Sequence, residues 1–164
     1  MIIWLTGLPC SGKTTLARRL VELYGGELLD GDELRAGPFK TGFSLEERRQ
    51  HLLRMGYIAE LLDKYTNVYC SFVSPYETTR NELPIDVLIY VKASVECCAA
   101  RDVKGMWAKA KAGEIKGFTG YDAPYELPVR PDIVVDTENY SIENCVYMIR
   151  DVIQAHMLFC NSRQ

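Results

Sequence analysis

Gly7-Leu8-Pro9-Cys10-Ser11-Gly12-Lys13-Thr14 is the stretch that decides the fold of this chain. It matches the pattern G-x-x-x-x-G-K-[ST], in which the glycines let successive backbone N–H groups turn toward a bound phosphate. The apolar run before it, Ile2 to Thr6, predicts a buried strand, and Lys13 to Tyr24 predicts a helix. A strand that leads through such a loop into a helix is the context that a phosphate-binding Walker A loop requires. The sequence therefore predicts a nucleotide-binding domain.

Short apolar runs alternate with helical patterns along the rest of the chain. Further strands are predicted at 27–29, 67–73, 87–92 and 133–135, and further helices at 45–65, 94–101 and 142–159. Ser44 and Glu47 form a capping box at the start of the helix over 45–65. Strand–helix alternation of this kind is typical of a parallel sheet covered by helices on both faces. We therefore expect one domain over residues 1–164, with a three-layer α/β/α P-loop NTPase fold and a sheet of about five strands.

Length and composition exclude several classes of protein. The chain has 164 residues, enough for one domain with a core of its own. Its net charge of −3 argues against binding of nucleic acid through a broad basic surface. The six cysteines include no C-x-x-C pair, so we expect reduced thiols in a cytoplasmic protein. The first residues carry no basic region and only a short apolar run, which predicts neither a signal peptide nor a membrane span.

Two carboxylates follow the second predicted strand and indicate a kinase. In the Walker loop, Lys13 is expected to reach the β- and γ-phosphates and the Thr14 hydroxyl to bind Mg²⁺. No N-K-x-D guanine motif is present; instead Asp30 and Asp32 stand at the carboxyl end of a strand, where open α/β sheets bind ligands. One carboxylate can hold Mg²⁺ through water, and the other can orient or deprotonate an acceptor hydroxyl. The alternative is an Asp-Gly turn with solvated carboxylates.

Arg48 and His51 share the apolar stripe of the helix over 45–65 with Leu52 and Met55. A positive group at the end of a buried stripe needs an anionic partner, so we expect Arg48 to face a bound anion, with Arg35 as a second candidate. The alternative is an arginine whose head group reaches solvent. Histidine ordinarily titrates near pH 6.5, so at this place His51 predicts an affinity for an anionic acceptor that rises as pH falls.

The segment at about 102–130 fits neither periodicity and is too long for an idle connection, so we expect a functional lid. From Arg101 to Lys116 it carries five basic and two acidic residues, which suits closure over ATP; a solvated charge run is the alternative. Phe43 and Phe118 lie in glycine-rich polar surroundings, and exposed rings of this kind suit stacking on a base. Packing within a loop is the alternative for either ring.

Together these motifs resemble the adenylylsulfate (APS) kinase family. The shared stretches are the Walker loop, Leu29-Asp30-Gly31-Asp32 followed by Arg35, Gly42-Phe43-Ser44 followed by Arg48, Ser71-Phe72-Val73-Ser74-Pro75-Tyr76 followed by Arg80, Arg101-Asp102-Val103-Lys104-Gly105, Lys109-Ala110, Ala112-Gly113-Glu114-Ile115-Lys116-Gly117-Phe118-Thr119-Gly120 and Pro124-Tyr125-Glu126. The resemblance covers about residues 2–137. The fold that it implies is that of a P-loop kinase.

The resemblance implies transfer of the ATP γ-phosphoryl group to the 3′-hydroxyl of adenylylsulfate, with Mg²⁺ as cofactor. Expected partners are small nucleotides, not nucleic acid or a membrane, with a homodimer as one option for the assembly. One alternative function is that of a kinase for another small activated nucleotide, such as a nucleoside diphosphate derivative. The other is that of a nucleotide-binding module that transfers no phosphate.

The motifs and the resemblance together predict a role for each candidate position. Catalysis is expected of Lys13, Asp32 and Lys104, and Mg²⁺ binding of Thr14 and, through water, Asp30. Residues expected to bind ATP are Gly7, Leu8, Pro9, Cys10, Ser11, Gly12, Lys13, Thr14, Thr15, Arg101 and Lys109. Residues expected to bind the acceptor are Asp32, Arg35, Phe43, Arg48, His51, Val73, Ser74, Lys116, Gly117, Phe118 and Thr119, with the two phenylalanines on either side of the adenine.

Several positions qualify this assignment. Ser74 matches a serine described in the family as a phosphoenzyme intermediate, a role that direct in-line transfer does not need. The family usually has asparagine where this chain has Glu33 and His51, and arginine where it has Leu53. These departures cluster on the acceptor side, so they concern the identity of the acceptor more than kinase activity.

Overall fold

The computed structural model of the protein describes residues 1–37 and 41–161. In chain order its elements are β1 (Ile2–Thr6), α1 (Lys13–Tyr24), β2 (Glu27–Asp30), α2 (Gly31–Ala36), α3 (Leu45–Asp63), β3 (Val68–Ser71), α4 (Glu77–Arg80), β4 (Val87–Lys92), α5 (Val95–Ala100), α6 (Met106–Lys111), β5 (Ile133–Asp136) and α7 (Ile142–Asn161). All five predicted strands and all four predicted helices are present. Helix α3 and strand β3 each end two residues earlier than predicted.

The five strands form one parallel sheet in the order β2-β3-β1-β4-β5. Successive residues of the central strand β1 face opposite sides, as the two-residue period of a strand requires. Ile3 and Leu5 pack with α1 and α7, whereas Ile2 and Trp4 pack with α3. The expected three-layer P-loop fold is confirmed, and the Walker loop lies at the carboxyl end of the central strand.

Three short helices were not predicted: α2, α4 and α6. Each has six residues or fewer, too few to develop an apolar period. For two of them a preceding aspartate supplies the cap: the Asp30 carboxylate accepts the N–H groups of Asp32 and Glu33. The Asp102 carboxylate accepts those of residues 106, 107 and 108. The segment at 102–130 is therefore not wholly irregular, because it contains α6.

Helix α3 confirms two predictions. The capping box is complete, since the Ser44 hydroxyl accepts the Glu47 N–H and the Glu47 carboxylate accepts the Ser44 N–H. The predicted stripe is buried: Arg48, His51 and Met55 are 8%, 1% and 0% exposed. Among the helices of the described residues, none has the length and apolar character that a membrane crossing needs.

Candidate active site

A cavity of about 930 Å³ lies along the carboxyl ends of β1, β2 and β3. It brings most of the predicted site together: Pro9, Cys10, Gly12, Lys13, Thr14, Thr15, Asp30, Asp32, Arg35, Phe43, Arg48, His51, Val73, Ser74, Arg101, Lys104, Lys116, Gly117, Phe118 and Thr119 line it. Four predicted residues are not part of this wall, namely Gly7, Leu8, Ser11 and Lys109. The first three belong to the Walker loop but do not line the cavity, and Lys109 is exposed on α6.

The Walker loop has the tight backbone that its glycines allow. Gly12 has φ 100° and Cys10 has φ 67°, both in the left-handed region. A side chain at Gly7 would collide with the carbonyl oxygen of Val91 on β4, so the loop packs directly on the sheet. The loop closes with a bond from the Ser11 N–H to the Leu8 carbonyl, at 3.1 Å.

Lys13 is buried beside the loop, with 8% of the residue exposed. Its ammonium donates to the Leu8 carbonyl at 2.7 Å. Burial lowers the pKa of Lys13 to about 8, because the charged form loses solvation. Phosphate oxygens next to the ammonium would favour the charged form, so nucleotide binding and protonation of Lys13 are coupled.

Oxygen atoms of three elements meet next to Lys13. The Thr14 hydroxyl donates to Asp30 Oδ2 at 2.6 Å and lies 3.1 Å from the Ser71 hydroxyl. Asp30 is 4% exposed and ends β2, while its other oxygen caps α2. Hydroxyl and carboxylate oxygens of this kind fit Mg²⁺, which keeps several waters and binds through one or two protein groups and substrate phosphates. The described residues contain no cluster of three or more His, Cys, Asp or Glu that would enclose a metal.

Asp32 projects into the cavity from the first turn of α2 and pairs with Lys104 of the lid segment. The ammonium and carboxylate are 2.6 Å apart, and both side chains are more than half exposed. The hydrogen bond to Asp32 raises the pKa of Lys104. The predicted acceptor-side carboxylate and the predicted lid cation are therefore already adjacent.

Two guanidinium groups lie at the opposite end of the cavity. Arg48 donates to the Phe43 carbonyl, the Thr119 hydroxyl and the Gly117 carbonyl. Among the described residues, Arg35 donates to the backbone carbonyls of Thr41 and Gly42, and burial and the charge of Arg48 lower its pKa. No described carboxylate lies within ion-pair distance of either group. Among the described residues, the two guanidinium groups therefore form no ion pair, and carboxylates such as Asp32 and Asp122 act on them only at longer range.

His51 lies in the cavity wall one turn after Arg48, and its Nε2 atom has no hydrogen-bond partner among the described residues. Its ring meets that of Phe72 edge-on at 6.1 Å. Burial, together with the charges of Arg35 and Arg54, lowers the pKa of His51 to about 4. The pKa of His51 in the chain without a bound acceptor is therefore well below the value near 6.5 from which the pH dependence was predicted.

The two predicted stacking rings differ in exposure. Phe43 is 53% exposed, and the guanidinium carbons of Arg35 and Arg48 lie 4.9 and 5.4 Å from its centroid. Phe118 is 8% exposed, so the expectation of an exposed ring was wrong for this residue. Its ring packs edge-on against Trp107 of α6 at 5.0 Å. Phe118 still lines the cavity, but as part of a small apolar cluster.

The other predicted lid and turn residues occupy distinct places. Arg101 donates to the hydroxyl and carbonyl of Thr137, whose hydroxyl in turn donates to the Ser11 carbonyl. Lys116 is exposed at the rim. The Ser74 hydroxyl is buried, accepts from the Trp4 indole at 3.1 Å and lies 2.9 Å from the Thr6 hydroxyl.

Three polar cavity residues at or after the carboxyl ends of β3 and β5 were not predicted as site residues from the sequence. Thr137 and Tyr140 line the cavity after β5, and Ser71 ends β3 next to Thr14. No local motif marks the first two, although their position after the last predicted strand could have suggested them.

The three residues that depart from the family pattern have different surroundings. Leu53 packs with the apolar side chains under α3, and Glu33 pairs with Arg18. Of these three residues, only His51 has a buried polar atom, Nε2, without a hydrogen-bond partner among the described residues.

Comparison with known proteins gives consistent matches. Residues 1–136 match the family described as adenylylsulphate kinase. The chain is 46% identical over 170 residues to the "Probable adenylyl-sulfate kinase" of Aeropyrum pernix, covering 94% of this chain and 93% of the relative. It is 44% identical over 161 residues to the adenylyl-sulfate kinase of Oceanobacillus iheyensis, covering 90% and 81% of the two chains. The solved structure of the Mycobacterium tuberculosis APS kinase with AMPPNP and APS is 33% identical, with a TM-score of 0.84 and coverage of 93% and 96%.

Proposed function

This chain belongs to the adenylylsulphate kinase family, and we propose that it transfers the γ-phosphoryl group of ATP to the 3′-hydroxyl of adenylylsulfate. The product is 3′-phosphoadenylylsulfate, the activated sulfate donor. The observation that carries the proposal is a single cavity with a Walker loop at one end and two arginines without carboxylate partners at the other. A phosphosulfate group is an anion that such a pair of guanidinium groups can bind in two-pronged fashion.

At the donor end, the backbone of the Walker loop would cradle the phosphates of ATP, and Lys13 would contact the outer ones. Thr14 and, through water, Asp30 would hold Mg²⁺. When bound, this ion neutralises negative charge on the phosphates of the nucleotide. Thr137 joins Arg101 to the Ser11 carbonyl of the Walker loop. We therefore place the adenosine part of ATP beside Arg101 and Thr137.

At the acceptor end, Asp32 would orient the 3′-hydroxyl and accept its proton as the oxygen attacks the γ-phosphorus. An ammonium has three N–H donors, so Lys104 can keep its bond to Asp32 and also donate to the transferred group. Arg35 and Arg48 would bind the phosphosulfate, and Phe43 and Phe118 would flank the adenine. Lys109 stays a predicted ATP contact that requires movement of the segment at 102–130.

Phosphorylation of Ser74 is not part of the proposal. Ser74 is 2% exposed, and its hydroxyl already forms hydrogen bonds with the side chains of Trp4 and Thr6. Direct transfer between two nucleotides in one cavity needs no covalent intermediate on the protein.

The second candidate is a kinase for another activated nucleotide, and His51 is the observation that favours it. A neutral imidazole offers one donor and one acceptor on different edges of the ring, so it cannot repeat the paired contacts of an amide. The third candidate is a nucleotide-binding module that transfers no phosphate. No feature of the described residues favours it, and only an assay that yields no product would support it.

One panel tests all three candidates. The purified protein is given Mg²⁺-ATP with adenylylsulfate, AMP, ADP, CDP or UDP, and ADP release and 3′-phosphorylated product are measured. We expect turnover of adenylylsulfate at least tenfold above the others. Equal turnover of another nucleotide would favour the second candidate, and ATP binding without product from any acceptor would favour the third. Lys13→Ala serves as the inactive control.

We also propose that the enzyme works in the cytoplasm, and a homodimer stays an option for its assembly. The thiols of Cys10, Cys70, Cys97, Cys98 and Cys145 are free, which suits a reducing compartment. Exposed apolar side chains on α7, such as Leu158 at 72%, would give a dimer a surface to bury. Light scattering of the purified protein measures the assembly directly.

A further inference from the structure

The turn after β3 forms one wall of the cavity and has a strained backbone. Val73, Ser74 and Pro75 line the cavity. Ser74 has φ 37°, in the left-handed region that residues with a Cβ rarely adopt. Such a conformation persists only where the surrounding structure holds it. One of the groups that hold this turn is Arg80, a residue of the family motif to which the proposed mechanism gives no role.

Arg80 is 3% exposed, and its guanidinium forms bonds in three directions. Nη1 donates to the Ser74 carbonyl at 2.6 Å, and Nη2 donates to the Glu126 carbonyl at 2.7 Å. Nε and Nη2 both donate to the Glu77 carboxylate, at 3.1 and 2.6 Å. Glu77 balances the charge that a buried guanidinium carries. Arg80 therefore joins the turn at Ser74 to the distal end of the lid segment.

Further bonds connect the same two parts of the chain. The Glu126 N–H donates to the Pro75 carbonyl at 2.8 Å, and the Glu77 N–H donates to the Glu126 carboxylate at 2.7 Å. The hydroxyl groups of Tyr125 and Thr6 are 2.9 Å apart, and that of Thr6 donates to the backbone of the turn. The junction is thus a network of directed bonds rather than a single contact.

Arg48 makes a similar junction at the near end of the same segment, through Gly117 and Thr119. Residues 117–126 are therefore held at both ends by a buried arginine. This segment brings Phe118 and Thr119 to the cavity. By contrast, the basic part of the lid reaches the cavity through exposed side chains such as Lys104.

We propose that Arg80 is a positioning residue of the acceptor site. By bonding the carbonyls of Ser74 and Glu126, it fixes two walls between which the acceptor nucleotide binds. Arg80 is not itself part of the described cavity wall, so it acts through these segments and not by contact with substrate. The inference rests on the proposed function, because it concerns the acceptor of that reaction.

The test is steady-state kinetics of Arg80→Lys with both substrates varied. Lysine keeps the charge, but one ammonium cannot reproduce the planar fork that reaches Ser74, Glu126 and Glu77 together. We expect the KM for adenylylsulfate to rise at least tenfold and the KM for ATP to change less than twofold. Arg49→Lys is the matched control, since Arg49 forms an exposed pair with Glu82 on the outer face of α3. Equal changes in both KM values, or a loss of thermal stability with neither KM changed, would overturn the proposal.

Hydrogen exchange gives a readout that does not depend on turnover. The amide of Glu126 should exchange at least tenfold faster in Arg80→Lys than in Arg49→Lys, and unchanged exchange would also overturn the proposal. Failure of the wild-type protein to phosphorylate adenylylsulfate would count against the proposed function instead. If Arg80→Lys does not fold, Tyr125→Phe removes one hydroxyl from the same network. It should raise the KM for adenylylsulfate about threefold with the KM for ATP unchanged, and an equal effect on both would again refute positioning.

Discussion

His51 should make the stability of the protein depend on pH between about 4 and 6.5. Its pKa in the folded chain is about 4, against 6.5 for an ordinary histidine, because burial and two nearby guanidinium groups oppose the charge. Between these two pH values the unfolded chain binds a proton at His51 and the folded chain does not. The contribution of neutral His51 to the free energy of unfolding is therefore fully present above about pH 6.5 and is lost as the pH falls toward 4. The residue is 1% exposed, so solvent screening is small. Between pH 7.5 and pH 5, the shift corresponds to about 2 kcal/mol of unfolding free energy.

The assay is urea unfolding of the wild type and His51→Asn at both pH values. Asparagine does not titrate, so the loss between pH 7.5 and pH 5 should be about 2 kcal/mol smaller in the variant, whatever the absolute stability of each protein. His156→Gln is the control, because His156 is the other histidine of the chain and lies half-buried on α7. An equal pH dependence in the wild type and His51→Asn would show that His51 is not desolvated in solution.

Three further predictions concern activity. Lys13→Ala should lower turnover by at least a thousandfold and leave the fold intact by circular dichroism, because the ammonium serves the phosphates and contacts only the loop carbonyl; near-normal turnover would contradict this. Phe43→Ala should raise the KM for adenylylsulfate about 5- to 150-fold, the equivalent of the 1–3 kcal/mol of one stacked ring. Phe118→Ala should raise the same KM and should also lower the free energy of unfolding in urea by about 3–5 kcal/mol, because the ring is buried against Trp107. A Phe118→Ala variant as stable as Phe43→Ala would place the ring outside the core. Lys104→Met should lower kcat tenfold or more with less than about 1 kcal/mol change in stability, since its pair with Asp32 is exposed; a loss confined to stability would exclude a catalytic role.

The burial of α3 shows how far sequence patterns reach into the site. The apolar stripe placed Arg48 and His51 inside, because helical periodicity is a property of one segment and depends on no other part of the chain. The effect of that burial on His51 could not be read from the same pattern. Its lowered pKa depends first on desolvation by the packed cavity wall and then on the charge of Arg35, which comes from another element.

Phe118 shows the opposite outcome. Its glycine-rich neighbours correctly indicated a loop, but exposure depends on what packs against the ring. The residue that packs against it is Trp107 of α6. This helix is stabilised by the cap from Asp102 and has no apolar periodicity that a sequence pattern could detect. The sequence signal for α6 was one aspartate, Asp102, four residues before a helix of only six residues, which is too short for periodicity to detect.

The sequence by itself determined the strand–loop–helix of the Walker motif, the parallel sheet and the family. These features follow from local rules, since phosphate-loop backbone, strand and helix periods and caps each operate within a few residues. Only the tertiary structure decided which charges meet. The pair of Asp32 with Lys104, the bonds of Thr137 to Ser11 and Arg101, and the bond of Arg80 to Glu126 join residues that are 36 to 126 positions apart. Such contacts depend on the strand order β2-β3-β1-β4-β5, which brings distant loops to one edge of the sheet, and on side-chain packing that no local pattern encodes.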